Sequence, residues 1–180
     1  MCGIYGQVIF GNQKLTDKEK FISLLSLSSK RGPDFQGYYS NKKNIQFGFN
    51  RLSILDLSEN ASQPIKSPSG RYIMVFNGEI YNHLELRNSL PKKKFTFKGS
   101  GDTESVISCF ENFGIEKTIS MLDGMFAIGI YDNYNSSLYL IIDAICSAVL
   151  NKKLKSKSPC RVFGVPTHKI LILEFITASL

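Results

Sequence analysis

The amino-acid sequence predicts an α+β fold in which β-sheets and helices pack as the layers of a sandwich. Strand-like and helix-like segments come in mixed clusters, without the regular strand–helix–strand alternation of a doubly wound fold. Near residue 135, two strand-like segments are joined by an Asn- and Ser-rich turn, which predicts a β-hairpin. The length of 180 residues and the hydrophobic content of 43% suit one domain with a sizeable core.

Strands are predicted where β-branched and aromatic residues concentrate. In chain order they cover "CGIYGQVIF", "GYYS", "IQFGFNRLSILD", "RYIMVF", "GMFAIGIYD" and "SLYLIID". The fourth is expected to stop at the "NGE" that follows it, and the last two form the hairpin. The segment "SENASQPIKSPSG" before the fourth strand is expected to be a loop.

Helices are predicted where apolar residues recur at helical spacing. They cover "TDKEKFISLLSLSSK", "HLELRNSL", "ESVISCFENF" and "IEKTISML". Thr16 and Glu19, three residues apart, predict a capping box at the start of the first helix, and the "KRGPDFQG" that follows predicts a turn. Beyond Asp143 the pattern weakens into the apolar run "AICSAVL", the basic loop "NKKLKSKS" and an isolated strand-like "KILILEF".

The net charge of +7 is weighted towards residues 141–180, which carry six Lys and Arg against two acidic residues. Such a lysine-rich run is typical of a solvated loop, and no nucleic-acid-binding motif accompanies it, so we expect no nucleic-acid partner. No apolar run reaches the roughly 18–20 residues of a membrane span, and no signal-peptide pattern opens the chain. We therefore expect no membrane partner and a cytoplasmic location.

The four cysteines do not form a metal-binding pattern. There is no CxxC pair and there are only two histidines, so a structural zinc site is not expected. Cys109 lies in an apolar helical pattern and is predicted to be a core residue. Cys2 differs from the others, because removal of Met1 would leave its thiol beside a free α-amine.

Cys2 is a candidate N-terminal nucleophile. A thiol with an ordinary pKa of about 8.5 needs a base, and an α-amine with a pKa of about 7.7–8.0 can serve as that base near neutral pH. The apolar residues of the predicted strand that follows would hold Cys2 at its exposed tip. The alternative is an incidental surface thiol.

Asn77 and Gly78 are candidates for an oxyanion hole. At the end of a predicted strand they would offer an amide side chain and an unhindered main-chain N–H, which can face the charge that develops on a tetrahedral intermediate. The alternative, which is the better interpretation of these two residues alone, is that Asn-Gly forms a type I′ turn.

Two charged residues complete the candidate site. Arg51, at the edge of an apolar strand, could bind a substrate carboxylate through two parallel hydrogen bonds. The alternative is a surface salt bridge with Asp56 or Glu79. Asp102, at a predicted helix start among small residues, could pair with a substrate ammonium group or could simply cap the helix.

Six motifs occur in a characteristic order: "MCGI", "RGPD", "RLSILD", "NGEIYNH", "SGDTE" and "LDGMFAIGIYD". Over residues 2–143 the chain thereby resembles the N-terminal glutamine amidotransferase domain of glutamine-hydrolysing asparagine synthetases, one of the N-terminal-nucleophile hydrolases. The resemblance implies a four-layer αββα sandwich of two antiparallel sheets. It also implies that glutamine is the substrate, hydrolysed to glutamate and ammonia through a Cys2 thioester, and that the domain needs no cofactor of its own.

The same resemblance implies roles for the candidate residues. Cys2 would attack the side-chain amide of glutamine, and Asn77 with the Gly78 N–H would form the oxyanion hole. The implied substrate-binding residues are Arg51 for the carboxylate, Glu79 and Asp102 for the α-ammonium group, the main chain of Leu52, Ser53, Ile54 and Leu55, and Asn77 and Gly78. The "RGPD" turn, set by Gly32 and Pro33, would be largely architectural.

The resemblance also divides the chain. Residues 2–143 would form the glutaminase domain, and residues 144–180 a diverged basic segment without a recognisable domain. The Ser-Gly-Gly-x-Asp-Ser loop of an ATP- and Mg-dependent synthetase domain does not occur in the sequence. We therefore expect a glutaminase whose ammonia serves a synthetase domain outside these residues, such as a separate subunit. The alternative is a truncated or degenerate, non-catalytic glutamine-binding relic.

Overall fold

The computed structural model describes residues 2–9, 13–53, 62–142 and 161–164. Two β-sheets stack face to face; one helix covers the outer face of the first sheet, and three helices cover the outer face of the second. The α+β sandwich predicted from the sequence is therefore confirmed.

The first sheet consists of strands β1 (Gly3–Val8), β2 (Phe35–Ser40) and β3 (Ile45–Arg51). They pair antiparallel in the order β1-β3-β2. Helix α1 (Lys18–Ser26) places the buried side chains of Phe21 and Leu25 over Gly48 of β3. A Cβ at Gly48 would lie 2.9 Å from Leu25 Cδ2, so the absence of a side chain there lets the helix approach the sheet.

The predicted capping box of α1 is wrong. The cap position is Asp17, without a side-chain capping bond. The main-chain N–H of Thr16 instead donates to Gln7 Oε1 at 3.0 Å, which ties the start of the helix to β1. A contact across the fold thus replaces the local one. The helix also ends earlier than predicted, and Ser29–Arg31 form a single 3₁₀ turn.

The second sheet consists of strands β4 (Ile65–Lys66), β5 (Tyr72–Ile80), β6 (Gly124–Asp132), β7 (Ser137–Ile142) and β8 (Arg161–Gly164), in that order. The first four are antiparallel, and β8 pairs parallel to β7, so this sheet is mixed at one edge. Neither β4 nor β8 is predicted from the sequence, because both are short and depend on the neighbouring strand for their hydrogen bonds.

Strand β5 does not stop at "NGE" as predicted, but continues through it to Ile80. Strand β6 pairs with it along the whole length, from Tyr72 opposite Asp132 to Ile80 opposite Gly124. Asn77-Gly78 therefore does not form the predicted turn, because β6 pairs with β5 through both residues and bonds to the main-chain groups of every second residue.

The remaining helices are α2 (His83–Ser89), α3 (Asp102–Phe113) and α4 (Ile115–Met121), close to their predicted positions. Alternation along β5 divides the interior into two cores. Tyr72, Met74, Phe76 and Ile80 pack in the core beneath these helices. The alternate residues Ile73 and Val75 pack in the core between the sheets, which consists of Val8, Ile45, Phe47, Ile73, Val75, Tyr131, Leu138 and Leu140. Asn77 and Glu79 continue the row that faces the first sheet.

The predicted hairpin of β6 and β7 is confirmed. Its turn is organised by the buried Asp132, which accepts hydrogen bonds from Arg71 Nη2 at 2.7 Å and from the main-chain N–H of Tyr134 at 2.9 Å. Burial by itself raises the pKa of Asp132, but the hydrogen bonds from Arg71 and the turn outweigh it and hold the pKa below the ordinary value.

Cys109 is fully buried beneath the helices, as predicted. Burial raises the pKa of its thiol to about 11. The predicted segments "AICSAVL", "NKKLKSKS" and "KILILEF" lie outside the described residues. Within the part of the chain that the structure describes, no helix is long and apolar enough to cross a membrane.

Candidate active site

Cys2 lies immediately before β1, and the sheet register brings it to the end of β3. Gly3 stands opposite Asn50, so Cys2 reaches the main chain of Leu52. The N–H of Leu52 donates to Cys2 Sγ at 3.3 Å, and the thiol donates to Leu52 O at 3.6 Å. The side chain is partly buried.

The "RGPD" turn holds the segment against which Cys2 packs. The main-chain N–H of Asp34 donates to Arg51 O at 3.0 Å, and Asp34 Oδ2 accepts from the Ser53 N–H at 2.6 Å. These two bonds fix the residues on either side of Leu52. Gly32 is equally constrained, since a Cβ there would lie 2.3 Å from Asn50 O. The turn therefore locks the main chain beside the candidate nucleophile.

Arg51 is the last residue of β3 and is only 7% exposed. The side chain is therefore buried rather than at the surface, and Asp56, one partner of the alternative salt bridge, lies outside the described residues. The strand predicted to run to Asp56 ends at Arg51 instead, and Leu52 and Ser53 follow it without regular secondary structure. Ile54 and Leu55, also expected to line the pocket, lie outside the described residues.

Asn77 and Gly78 lie within β5, opposite Ala127 and Phe126, so the alternative of a type I′ turn is wrong. Gly78 has φ +145°, a conformation that residues with a side chain rarely adopt. A Cβ at Gly78 would also lie 2.1 Å from Met125 O. Both observations require glycine at this position.

The N–H of Gly78 points away from β6. N–H groups along an antiparallel strand alternate between its two edges, and Tyr81 N–H donates to Asp123 O on the β6 side. The even-numbered residues of β5 therefore face the other edge, which β4 covers only through Ile65 and Lys66, opposite Met74 and Ile73. The edge at Gly78 lies beyond β4. Strand β1, which follows Cys2, packs against β5 across the sandwich.

Asp102 is buried at the first turn of α3, with 6% of its surface exposed. Its Oδ2 accepts a hydrogen bond from the Ile80 N–H at 2.9 Å, which joins the helix to the end of β5. Burial raises the pKa of the carboxyl, although the Ile80 bond and the nearby His83 act in the opposite direction. The cap position of the helix is Gly101, so the prediction that Asp102 caps it is wrong.

A family model described as a glutamine amidotransferase domain matches residues 1–156. The chain belongs to this family. Similar proteins include asparagine synthetase [glutamine-hydrolyzing] 1 of Bacillus subtilis, at 38% identity over 143 residues, which are 77% of this chain and 22% of that protein. A probable asparagine synthetase [glutamine-hydrolyzing] of Acanthamoeba polyphaga mimivirus is 37% identical over 146 residues, 79% of this chain and 26% of that protein.

A probable asparagine synthetase [glutamine-hydrolyzing] of Dictyostelium discoideum is 35% identical over 81% of this chain and 26% of its own length. The chain thus matches only about a quarter of the length of these curated relatives, 22% of the first and 26% of the second. The resemblance inferred from the six motifs is confirmed.

The amidotransferase domain also contains site-supporting residues that the sequence does not reveal. Arg87 of α2 donates to Gly99 O at 2.9 Å, Gly101 O at 2.8 Å and Ser105 Oγ at 3.0 Å, and so holds the loop that leads into Asp102. In the sequence it is one arginine on an amphipathic helix, which is typical of a solvated cation. Its part in holding this loop is visible only from its three acceptors, which are twelve or more residues away in the chain.

Asn82 is a second such residue. Its Nδ2 donates to Met121 O at 2.8 Å, and its Oδ1 accepts from the Asp123 N–H at 3.1 Å. The chain between α4 and β6 is thereby fixed to the end of β5. Gly124 completes the contact, because a Cβ there would lie 2.1 Å from Glu79 O. The "NGEIYNH" and "LDGMFAIGIYD" motifs of the amidotransferase domain thus form one unit.

Proposed function

We propose that this chain hydrolyses the side-chain amide of glutamine to glutamate and ammonia, with Cys2 as the nucleophile. The observation that carries the proposal is the contact of the Cys2 thiol with the Leu52 main chain, next to the buried Arg51. It brings the one candidate nucleophile beside a cation that can bind the carboxylate of an amino acid. Membership of the glutamine amidotransferase family supports glutamine as that amino acid.

In the proposed reaction, removal of Met1 frees the α-amine of Cys2, which accepts the thiol proton. The thiolate attacks the side-chain carbonyl carbon of glutamine, and the negative charge moves to its oxygen. The Gly78 N–H and the Asn77 amide donate hydrogen bonds to that oxygen. The C–N bond then breaks, the proton held by the α-amine goes to the leaving nitrogen, and ammonia departs. Water hydrolyses the γ-glutamyl thioester to glutamate and restores the thiol.

The α-carboxylate and the α-ammonium group of glutamine are attached to the same carbon and would be bound together, away from the reacting side-chain amide. Arg51 binds the α-carboxylate, and the carboxylates of Glu79 and Asp102 bind the α-ammonium group. Burial raises the pKa of Asp102, and an ammonium group beside it would favour the ionised form. Glu79 is exposed and lies on the face of β5 that is turned towards the first sheet. The main chain of Leu52 and Ser53 would line the pocket.

The ammonia is proposed to serve a synthetase domain outside this chain. The curated relatives are named asparagine synthetases, and most of their length lies beyond the part that this chain matches. ATP and Mg would belong to that domain, because the glutaminase steps proposed here use only groups of the protein and water.

The test is to measure glutamate release from glutamine by the purified chain and its Cys2→Ala variant. We expect release by the wild type and a loss of at least about 1,000-fold in the variant. Cys109→Ser is the matched control, because Cys109 is fully buried and has no part in the proposed chemistry. Mass spectrometry should show that Met1 is absent. Glutamine binding without Cys2-dependent release would instead support a non-catalytic relic.

A further inference from the structure

The amide side chain of Gln63 takes the place of a strand beside Phe76. The pairing of β4 with β5 begins at Ile65, opposite Met74, so continuing the register would place residue 63 opposite Phe76. Pro64 has no N–H to contribute. Instead, the Gln63 side chain bonds to Phe76 at both groups: the Phe76 N–H donates to Gln63 Oε1 at 2.5 Å, and Gln63 Nε2 donates to Phe76 O at 3.0 Å.

This pair of bonds lies in the interior. Gln63 is 5% exposed and Phe76 is 3% exposed. Water is therefore not available to replace either bond, and without the amide two main-chain groups of β5 would be left unpaired in an apolar environment. The side chain consequently determines the position of the main chain at Phe76.

Gln63 is itself held in place by the first sheet. A Cβ at Gly37 of β2 would lie 1.7 Å from Gln63 O, so the two main chains are in direct contact. The amide thus joins a fixed point on β2 to β5. This contact links the sheet that carries Cys2 to the strand that carries Asn77.

The Phe76 carbonyl and the Asn77 N–H belong to one planar peptide unit. A bond to Phe76 O therefore fixes the orientation of the unit that leads into Asn77 and Gly78. On the opposite edge, Asn77 is paired with Ala127. Beyond Gln63, the same edge of β5 carries the Gly78 N–H. Among the residues that the structure describes, the last hydrogen-bonded group on that edge before the proposed oxyanion donors is the Gln63 amide.

We propose that Gln63 is a positioning residue, which aims the oxyanion donors of Asn77 and Gly78 by holding the main chain of Phe76. The inference rests on the proposed glutaminase function and deepens it. Gln63 takes no direct part in the reaction, so its loss should affect the transition state more than the binding of glutamine.

The test compares Gln63→Met with Gln46→Met in the full chain. Gln46 of β3 is a matched control, because its amide is also buried and both donates, to Thr16 O at 3.0 Å, and accepts, from Tyr38 Oη at 3.0 Å. We expect Gln63→Met to lower kcat roughly 10- to 100-fold with KM within about threefold, as for a misplaced oxyanion donor. Gln46→Met should lose stability without this loss of kcat.

A second readout reports the oxyanion donors directly. The aldehyde analogue of glutamine, glutamate γ-semialdehyde, can form a tetrahedral adduct with a thiol, whose oxygen would occupy the oxyanion position. Its affinity should fall in Gln63→Met by about the same factor as kcat. If Gln63→Met does not fold, Gln63→Glu is the second variant. It retains the acceptor for the Phe76 N–H but has an oxygen in place of the N–H donor to Phe76 O. Its kcat should again fall while its KM stays nearly unchanged.

Unchanged kcat in a folded Gln63 variant overturns the inference, as does an equal loss of kcat in Gln46→Met. Hydrogen exchange separates this outcome from a failure of the proposed function. The Phe76 amide should lose protection in Gln63→Met and keep it in Gln46→Met. If the wild type shows no Cys2-dependent release but Gln63→Met still loses protection at the Phe76 amide, the catalytic role of the site is contradicted and the contact is present. If the Phe76 amide exchanges freely in the wild type, the contact itself is contradicted.

Discussion

The thiol of Cys2 lies 3.3 Å from the main-chain nitrogen of Leu52, although the two residues are 50 positions apart in the chain. The contact exists because β1 pairs with β3 in a register that sets Gly3 opposite Asn50. Asp34 fixes the other side of the same segment through its 2.6 Å bond from the Ser53 N–H. The candidate nucleophile therefore has a defined position in the fold.

Cys2 and Cys109 should differ in their reaction with iodoacetamide. Cys2 is partly buried at the end of a sheet, whereas Cys109 is fully buried and has a pKa raised to about 11. At pH 8 such a thiol is only about one part in a thousand thiolate. Peptide mapping of the native protein should show Cys2 alkylated at least about 100-fold faster. In urea both should react alike, and equal rates in the native protein would contradict the structure.

Gly78→Ala should destabilise the fold far more than Gly70→Ala. Both glycines have positive φ, at +145° and +75°. A Cβ at Gly78 would meet Met125 O at 2.1 Å, whereas a Cβ at Gly70 meets nothing within 4 Å. We expect Gly70→Ala to lower the free energy of unfolding by about 1 kcal/mol from backbone strain alone. Gly78→Ala should cost at least about 3 kcal/mol, as measured by urea unfolding. Similar costs would show that the close approach to β6 is not present.

Arg87→Lys should weaken the binding of glutamine. A lysine has one nitrogen and cannot reproduce the fork that binds Gly99 O, Gly101 O and Ser105 Oγ. The loop before Asp102 would then be held less firmly, so KM for glutamine should rise more than kcat falls. Ser105→Ala removes one of the three acceptors and should have a smaller effect. Unchanged KM and unchanged stability in Arg87→Lys would contradict this role.

Asp132→Asn should lower the free energy of unfolding by about 2 kcal/mol at neutral pH, because it removes charged hydrogen bonds from Arg71 and the turn. The pKa of Asp132 is below its ordinary value in the folded state. Its stabilising contribution is therefore present above the unfolded pKa of about 3.9 and is lost as the pH falls towards the folded pKa.

Urea unfolding measured between pH 7 and the acid range tests this prediction. The wild type should lose stability on acidification more steeply than Asp132→Asn. Asp17→Asn is the control, because Asp17 is exposed at the start of α1 and has no side-chain capping bond. The same pH dependence in the wild type and Asp132→Asn would show that the Asp132 carboxyl is not stabilised in the folded state.

The elements of the fold could largely be predicted from periodicity. The helices α2 to α4 and the strands β6 and β7 lie where their apolar patterns indicate. The failures occur where a local signal competes with pairing. Asn77-Gly78 has the composition of a turn, but β6 continues the strand through both residues. Thr16 has the composition of a cap, but Gln7 binds its N–H.

By itself, the sequence determined the α+β class, the family, the unusual position of Cys2 and the candidate residues Asn77, Gly78 and Arg51. These follow from composition, periodicity and short motifs, which are properties of neighbouring residues. Only the tertiary structure decided that Asn77-Gly78 lies within a strand and that Arg51 is buried. It alone showed the hydrogen bonds that the Gln63 amide and the Arg87 guanidinium make to distant segments, because such bonds depend on which segments the fold brings together.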